Sequence, residues 1–285
     1  MRRALVAGHV CVDLIPELAA VPRSGPGELE LIGPLAMSAG GCVSNTGGML
    51  AALGAPVQVV GDHVGANAEF DGAAVEVEGA ELLHVGYPPL LPTLAADGGA
   101  RLHALLVRAR AAGLTTSLDL AVLDPRSPAA DEDWPALLRR VLPHVDVITP
   151  SLDDLRTTLD PAILDGPEEL RRCAGRLVEM GAAVAMVTGG SAGAHLCTAD
   201  QERLDAAGAL FAGPGTHRHR WSRRDEPAAP PEVPVRTTVG AGDAATAGLL
   251  FGLLTGEDPG SSLELAMRAA ATRMSCGSRE TPWRP

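Results

Sequence analysis

The sequence predicts an α/β fold in which a mostly parallel β-sheet is covered by helices on both faces. Three segments support this, because in each a helical stretch ends at a glycine and a buried strand follows within a few residues. Repeated helix–glycine–strand units are typical of parallel strands joined by helices. The composition agrees, since 46% of the residues are apolar but only 2% are aromatic, which suits Ala-, Val- and Leu-rich helices packed on strands. The helix and strand of each unit are 49–54 with 57–62, 107–113 with 115–119, and 177–181 with 184–189.

The N-terminal residues predict the first strand of this sheet. The apolar run 4–8 superficially resembles a signal peptide, but it is short and is interrupted by His9 and Asp13. No segment approaches the roughly 18 apolar residues that a membrane span requires. The five cysteines are odd in number and form no C-x-x-C pair, which favours reduced thiols. We therefore expect a cytoplasmic protein that has no membrane partner.

The remaining elements are predicted from local patterns. Residues 21–38 contain glycines, a proline and an alternating apolar run, which predict an extended hairpin apart from the main sheet. Residues 213–234 are rich in Gly, Pro, Arg and His without periodicity and predict a solvated loop. Within it, His217 and His219 would hold a metal only with ligands from elsewhere. Four further helices are expected, at 134–142, 167–180, 244–254 and 261–274.

The charged residues exclude several classes of function. The net charge is −12, and all 23 basic residues are arginine, so the chain contains no lysine. Walker P-loops, protein kinases and Schiff-base enzymes each need a lysine. The acidic balance disfavours binding to duplex nucleic acid, which requires a basic face. Neither the G-x-G-x-x-G of a dinucleotide-binding oxidoreductase after the first strand nor the H-E-x-x-H of a metallohydrolase occurs.

Polar residues and glycines end the predicted strands and indicate where a site lies. Asp62, Asp119, and the segments 149–151 and 188–190 occupy these positions. Ligands of open α/β sheets bind outside the carboxyl ends of the strands. The sequence therefore predicts a binding site along this edge of the sheet.

The segment 236–248 carries the clearest chemical signal. Gly240, Ala241 and Gly242 precede an apolar helix, and the unpaired amides of a helix N-terminus bind anions. Asp243 follows in the first helical turn. An acid at this position stabilises the helix through its dipole. The same carboxylate beside an anion site can instead accept a hydroxyl proton during phosphoryl transfer.

Four segments, in order along the chain, resemble the ribokinase-like carbohydrate kinases, also called the PfkB family. Residues 237–243 resemble the D-T-x-G-A-G-D signature, with Thr237 in place of the first Asp. Residues 40–45 are similar to the family's G-G-x-x-x-N, and Gly8 with Asp13 in the first strand forms a further match. The fourth is 187–190 with Gly193, similar to the nucleotide-side strand and its glycine turn. The resemblance implies one domain over 1–285, a three-layer α/β sandwich with a small, reduced β lid contributed by residues 11–38.

The resemblance also implies the activity and the residues that carry it. It implies an ATP-dependent kinase that phosphorylates a hydroxymethyl group of a small sugar or sugar derivative, with ATP and Mg²⁺ required. Asp243 would be the catalytic base beside an anion hole. The residues implied by role are Gly240, Ala241 and Gly242 for the anion hole; Asp13, Gly41 and Asn45 for the sugar; Thr188, Gly189 and Gly193 for ATP; and Asp154 for Mg²⁺ through water.

Other interpretations of these residues remain open from the sequence. Asp13 also suits a strand end, and Asn45 suits a helix start. Asp154 is equally an acid in the first turn of a helix. Arg236, beside the signature, is a candidate to clamp a phosphate.

Departures from the family pattern leave alternatives to the active sugar kinase. Thr237 lies where the family borders a monovalent-cation site, so potassium activation is doubtful. Only two residues separate Asp62 from Gly65, where the family carries lid strands, and the C-terminal segment is also short. The alternatives are a catalytically impaired protein that binds sugar or nucleotide, and a nucleoside kinase. A shortened lid with exposed strand edges would also permit a homodimer through the lid.

Overall fold

The computed structural model describes residues 2–17, 31–62, 67–212 and 218–276, and an eight-stranded sheet forms its centre. The order of strands across this sheet is β10-β9-β8-β7-β6-β5-β1-β4. Neighbouring strands from β4 to β8 pair in parallel, whereas β9 and β10 are antiparallel additions at one edge. The predicted mostly parallel sheet is confirmed. The strands are β1 (Ala4–Gly8), β2 (Cys11–Pro16), β3 (Leu35–Gly40), β4 (Val57–Val60), β5 (Leu82–Gly86), β6 (Thr115–Asp119), β7 (Val147–Ile148), β8 (Val184–Thr188), β9 (Ala194–Thr198) and β10 (Asp225–Ala228).

Helices connect and cover these strands, and the four that the sequence patterns predicted are present within three residues of the expected bounds. α2 is interrupted by non-helical backbone from Ala96 to Gly99. No helix of the described residues is long and apolar enough to cross a membrane. The helices are α1 (Gly41–Ala52), α2 (Pro92–Ala111), α3 (Trp134–Val141), α4 (Leu152–Thr158), α5 (Pro167–Glu179), α6 (Gln201–Asp205), α7 (Ala209–Ala212), α8 (Arg218–Trp221), α9 (Ala241–Thr255) and α10 (Pro259–Ser275).

Strand β1 shows how the sheet separates two hydrophobic cores. Leu5 and Ala7 pack into the core that contains the buried faces of α2, α3 and α5. Ala4 and Val6, which point the other way, pack into the core with α1, α9 and α10. Burying each large aliphatic side chain contributes about 1.5–3 kcal/mol. Two filled cores on opposite faces of one sheet confirm the predicted three-layer sandwich.

A separate two-stranded sheet of β2 and β3, which we call the lid hairpin, lies apart from the main sheet, but it pairs other residues than a hairpin within 21–38 would. Its strands pair antiparallel, with Leu14 opposite Met37. The alternating apolar run 28–32 suggested a strand, but the second strand of the lid hairpin is β3, which begins three residues later. Residues 18–30 lie outside the described residues. Asp13 belongs to β2 of the lid hairpin, so its assignment to the first strand is wrong. The first strand ends at Gly8, where φ is +134°, and the chain turns away from the main sheet.

The prediction of a loop over 213–234 is wrong for its central part. Residues 218–221 form the short helix α8, and β10 pairs antiparallel with β9. β10 is an edge strand that contains Pro227 and two acids, so it lacks the apolar alternation that identifies a buried strand. His217 lies outside the described residues, and His219 is exposed.

Candidate active site

A cleft of about 430 Å³ lies where the carboxyl ends of the central strands meet the start of α9. We call it the main cleft. Its position is the one that the polar strand ends predicted, because ligand sites of open α/β sheets form there. Seven of the predicted site residues line it: Asp154, Thr188, Gly193, Gly240, Ala241, Gly242 and Asp243.

Asp243 is the buried acid of this cleft, with 3% of its surface exposed. Its carboxylate accepts hydrogen bonds from three side chains of other elements. The Nδ2 of Asn45 lies 3.0 Å and the hydroxyl of Tyr87 2.6 Å from Oδ2, while the hydroxyl of Thr46 lies 2.8 Å from Oδ1. Hydrogen bonds to a carboxylate are stronger than those between neutral groups. The arrangement therefore holds the carboxylate in one orientation at the cleft wall.

The backbone before Asp243 has the geometry of an anion site. Gly240 adopts a left-handed conformation, with φ +76°. The first intrahelical hydrogen bond is donated by the amide of Ala244 to the carbonyl of Gly240. Helix geometry leaves the amides of Gly242 and Asp243 without an intrahelical acceptor. A Cβ on Gly242 would meet nothing within 4 Å. Backbone donors are thus accessible at the positive end of the helix dipole.

An arginine from α10 supports this turn, although it is not the one expected. The Nε of Arg273 donates to the carbonyl of Val239 at 2.9 Å and lies close to Gly240. The side chain of Arg236 is exposed and does not line the main cleft. Its backbone amide instead donates to the carbonyl of Met274 at 2.8 Å. The interpretation of Arg236 as a phosphate clamp has no support in this geometry.

The start of α1 carries two predicted sugar contacts, and one of them, Asn45, contacts Asp243. Gly41 has φ +82°, and a Cβ there would lie 2.4 Å from the carbonyl oxygen of His9, so only glycine fits. One turn later, Asn45 bonds Asp243 directly. Asp13 lies against Gly40, where a Cβ would approach its carboxylate to 2.4 Å. The charges of Asp13 and Asp243 both act on His9, which lies near both of them.

The same helix packs very closely on the ends of two strands. A Cβ on Gly86 would lie 2.2 Å from the Cβ of Cys42, and one on Gly8 would lie 3.1 Å from its sulfur. The Sγ of Cys42 is also 3.8 Å from the carbonyl of Ala7. Glycines at both strand ends therefore allow α1 to bring Asn45 and Thr46 to Asp243.

Sequence reasoning missed two of the three donors to Asp243. Thr46 lies within an apolar helix and is fully buried, so nothing in the local pattern distinguishes it. Tyr87 is the only tyrosine of the chain and precedes Pro88 directly after a buried strand. Its φ of +65° is unusual for an aromatic residue. A unique polar aromatic residue at a strand end was the available signal.

A second buried acid, Asp119, lines the main cleft at the end of β6. Its Oδ1 accepts the amide of Leu120 at 2.8 Å, and its Oδ2 lies 3.5 Å from the hydroxyl of Thr246. Burial, followed by the charges of Asp154 and Asp243, raises the pKa of Asp119 well above its usual value. The sequence identified Asp119 only as a polar strand end.

Asp154 takes part in the N-terminal cap of α4 and also lines the main cleft. Its Oδ2 accepts from the amide and the hydroxyl of Ser151, at 2.8 and 2.7 Å, and the amide of Asp154 donates back to that hydroxyl. This reciprocal pattern is a capping box. Burial raises the pKa of the Asp154 carboxyl. The structure thus shows the helix cap, and the role of Asp154 toward Mg²⁺ stays a prediction.

The three residues predicted along ATP surround the turn after β8. Thr188 and Gly193 line the main cleft, whereas Gly189 lines a neighbouring cleft of about 900 Å³ that shares Ser151, Thr188 and Gly190 with it. Gly193 has φ +84°, and a Cβ there would lie 2.1 Å from the carbonyl of Ala228. A glycine is required where the turn before β9 meets the end of β10.

One group of three potential metal ligands occurs among the described residues, away from Asp243. It consists of His195, Cys197 and Asp225. The two carboxylate oxygens of Asp225 already bind the Nε2 of His195, at 2.5 Å, and the Nε of Arg171, at 2.9 Å. These contacts lower the pKa of Asp225, with the hydrogen bond from His195 as the largest cause. The contacts of Asp225 with His195 and Arg171 therefore account for this group as an ion pair between β9, β10 and α5.

Comparisons with known proteins agree with this architecture. Among solved structures, the chain is similar to a ribokinase from Thermotoga maritima, with a TM-score of 0.66 and 14% identity over 98% of this chain and 95% of that one. It is also similar to an Arabidopsis thaliana ribokinase complexed with ribose and ATP, with a TM-score of 0.66 and 16% identity over 96% and 93% of the two chains. A Burkholderia thailandensis nucleoside kinase in complex with inosine gives 0.63 and 18% over 98% and 94%.

These similarities confirm the ribokinase-like α/β fold. A search of curated proteins finds no matching sequence. The model of the pfkB family carbohydrate kinases, however, matches residues 62–284, well over half of the chain. The matched part includes Asp119, Asp154, the turn after β8 and the start of α9. This chain belongs to the PfkB family of carbohydrate kinases.

Proposed function

We propose that the protein transfers the γ-phosphoryl group of ATP to a hydroxymethyl group of a small sugar or sugar derivative, with Asp243 as the base. One observation carries this proposal. The buried carboxylate of Asp243 and the unpaired amides at the start of α9 line the same cleft. A base and an anion site side by side are what phosphoryl transfer to an alcohol requires.

The proposed transfer uses the residues of this chain as follows. The acceptor oxygen forms a bond to the γ-phosphorus while the bond to ADP breaks, and ADP leaves with those electrons. The hydroxyl proton passes to Asp243. The amides at Gly242 and Asp243, with the dipole of α9, stabilise the negative charge on the transferred group. Left-handed Gly240 aims this turn into the cleft.

The acceptor would lie on the side of Asp243 that faces α1 and the lid hairpin. Asn45 and Asp13 offer donors and acceptors of the kind that sugar hydroxyls require. The contact of Asn45 with Asp243, at 3.0 Å, supports this placement. Gly41, one turn before Asn45 in α1, would contact the sugar through its backbone.

ATP would occupy the main cleft from Asp243 towards the turn after β8. Thr188, Gly189 and Gly193 would lie along it, in agreement with their positions in the two connected clefts. The solved relatives complexed with ATP or ADP support this use of ATP.

The acids of the main cleft fit a Mg²⁺ ion that accompanies the nucleotide. Asp119 and Asp154 are buried carboxylates, and the charge of Asp154 contributes to the raised pKa of Asp119. Carboxylate oxygens and water are the ligands that Mg²⁺ prefers. Asp154 would act through water, and Asp119 is a second candidate on the same wall. Bound there, the ion would neutralise phosphate charge.

The identity of the acceptor is tested by a panel of compounds. D-ribose, D-fructose, D-gluconate and inosine cover sugars, a sugar acid and a nucleoside. ADP release with Mg-ATP should occur with one class and fall by about a thousandfold in D243N. Turnover of inosine alone would make the protein a nucleoside kinase. Calorimetric binding without turnover would indicate the catalytically impaired alternative, for which the shortened lid is the reason. Activity that survives in D243N would exclude Asp243 as the base.

We also propose that two copies pair through the lid hairpin. Its outer face carries Val12, Leu14, Leu35 and Met37, which are 46–75% exposed. Contiguous apolar side chains on a short sheet favour association. Sedimentation should show a dimer that M37E converts to a monomer, and a monomer in the unsubstituted protein would refute the pairing.

A further inference from the structure

Tyr87 differs from the other two donors to Asp243, because it alone of the three lines the main cleft. Asn45 lines a small pocket on the other side of Gly240, and Thr46 is fully buried. The hydroxyl of Tyr87 therefore approaches Oδ2 of Asp243 from the main cleft. The ring of Tyr87 also neighbours His9, which packs against Gly41, one of the proposed acceptor contacts. An acceptor held on the side of α1 and the lid hairpin would thus bring its hydroxyl to Asp243 beside Tyr87.

Because Oδ2 of Asp243 already accepts two hydrogen bonds, an acceptor hydroxyl would compete with Tyr87 for this oxygen. A carboxylate has about four lone-pair positions. Three of them are used by Asn45, Thr46 and Tyr87, and Oδ2 alone carries two bonds, at 3.0 and 2.6 Å. Both positions of Oδ2 are therefore filled, and the remaining one belongs to Oδ1. An acceptor hydroxyl that approaches Oδ2 must replace one of its two donors, and Tyr87 is the donor that lines the main cleft.

Hydrogen bonds fix the backbone of Tyr87, while its side chain stays partly exposed. Its amide donates to the carbonyl of Asp119 at 3.2 Å, and its carbonyl accepts the amide of Leu90 at 2.8 Å. The backbone of Tyr87 is left-handed, with φ +65°, and such strained conformations cluster at functional sites. The ring is only partly buried, and its aromatic neighbour His9 lies 6.0 Å away between centroids. The backbone of Tyr87 is thus fixed by hydrogen bonds, while its partly exposed ring borders the main cleft.

The protonation state of Tyr87 fits a donor rather than an acceptor. Burial, with the charges of Asp243 and Asp119, raises the pKa of the phenol far above its usual value. The hydroxyl consequently keeps its proton at neutral pH. Like the hydroxymethyl group of an acceptor, it is a neutral O–H donor to the same oxygen.

We propose that the Tyr87 hydroxyl is a stand-in for the acceptor hydroxyl, which displaces it from Oδ2 of Asp243 when the acceptor binds. Tyr87 is then a positioning residue that holds the base in its reactive orientation until the acceptor arrives. This inference rests on the proposed function, in which Asp243 is the base.

The first test compares Y87F with T46V, using the acceptor identified by the panel. Each variant removes one hydroxyl donor from the same carboxylate, but only Tyr87 competes with the acceptor. Y87F should lower the KM of the acceptor by about tenfold, the factor that corresponds to one hydrogen bond to a charged group. T46V should leave that KM unchanged and lower kcat. An unchanged or raised acceptor KM in Y87F would overturn the proposal.

The second test observes the hydroxyl directly. Because the chain contains one tyrosine, growth with 3-fluorotyrosine places a single ¹⁹F label at Tyr87. Adding the acceptor without nucleotide should shift this resonance in the unsubstituted protein. In D243N without acceptor, the ¹⁹F resonance should have a different chemical shift. Adding the acceptor to D243N should change that shift much less. A resonance that does not respond to a bound acceptor would contradict displacement.

These assays separate the role of Asp243 from that of Tyr87. If D243N keeps its activity, the proposed base is wrong, whatever Tyr87 does. If D243N is inactive but Y87F leaves the acceptor KM unchanged, only the stand-in role is wrong.

Discussion

Asp243 and Asp154 occupy the same kind of position, but their carboxylates make opposite sets of contacts. Each lies in the first turn of a helix at the carboxyl edge of the sheet. Asp154 uses Oδ2 for its own helix, through Ser151 three residues earlier. Asp243 bonds none of its own turn through its side chain; its partners are 156 to 198 residues away in sequence.

This difference separates the role of a helix-start acid in folding from a role in chemistry. A capping carboxylate is oriented by local backbone and stabilises its helix wherever that helix lies. A carboxylate held by distant elements is oriented only in the folded protein, and the helix start gains no cap from it. We therefore expect Asp243 to matter most for rate and Asp154 to divide its effect between stability and cation binding.

The largest expected effect is that of D243N. The substitution keeps the shape of the side chain but removes the proton acceptor, so kcat should fall by about a thousandfold. The free energy of unfolding should change little by comparison. ADP release and thermal unfolding measure the two effects. D153N is the matched control, since Asp153 is an exposed acid in the first turn of α4 that pairs with Arg156; a comparable loss in D153N would remove the distinction.

The next effect comes from comparing D154N with S151A. S151A removes the capping hydroxyl and keeps the carboxylate, so it should destabilise the protein by about 1 kcal/mol with nearly normal magnesium dependence. D154N should raise the magnesium concentration required for half-maximal activity several-fold. Urea unfolding and magnesium titrations measure these quantities. Equal magnesium dependence in the two variants would reduce Asp154 to a helix cap.

A smaller effect concerns pH and Asp119. Because its folded pKa is raised, the folded protein keeps this proton to a higher pH than the unfolded chain does. The unfolding free energy should then decline as pH rises above about 4, the unfolded pKa of Asp, towards the raised folded value. D119N lacks this decline, so it should gain stability relative to the unsubstituted protein as pH rises.

Magnesium chloride should weaken the decline in the unsubstituted protein alone, because a nearby cation favours the ionised carboxylate. Chemical unfolding from pH 4.5 to 8.5 gives these curves. Parallel curves for D119N and the unsubstituted protein would contradict the prediction.

The smallest effect is expected from potassium. Thr237 replaces the first acid of the family signature, and the carbonyls nearby already accept protein donors. Val239 binds Arg273, and Met274 binds the amides of Arg236 and Thr237. Replacing potassium chloride by choline chloride at constant ionic strength should change kcat by less than about twofold, because the screening of exposed charges stays the same. Strong activation by potassium would show that these carbonyls exchange partners.

The comparison of the two acids also shows what the sequence can predict. The helix–glycine–strand units are local patterns, and they predicted the parallel sheet and the helices that the structure contains. The glycines before α9 drew attention to Asp243 for the same reason. Its donors Thr46 and Tyr87 were missed because contacts across so many residues leave no local periodicity. The edge strand β10 was missed because polar residues and Pro227 hide an unburied strand.

The close packing of Cys42 beneath Gly86 and Gly8 offers a reporter of local unfolding. Burial raises the pKa of the Cys42 thiol well above its usual value, and the side chain is fully inaccessible. An alkylating reagent can therefore reach it only when α1 separates from the strand ends. The rate at which Cys42 is alkylated would measure how often the helix that carries Asn45 and Thr46 opens. Ligands that hold α1 in place should slow that rate, and the partly exposed Cys11 and Cys276 would serve as internal references.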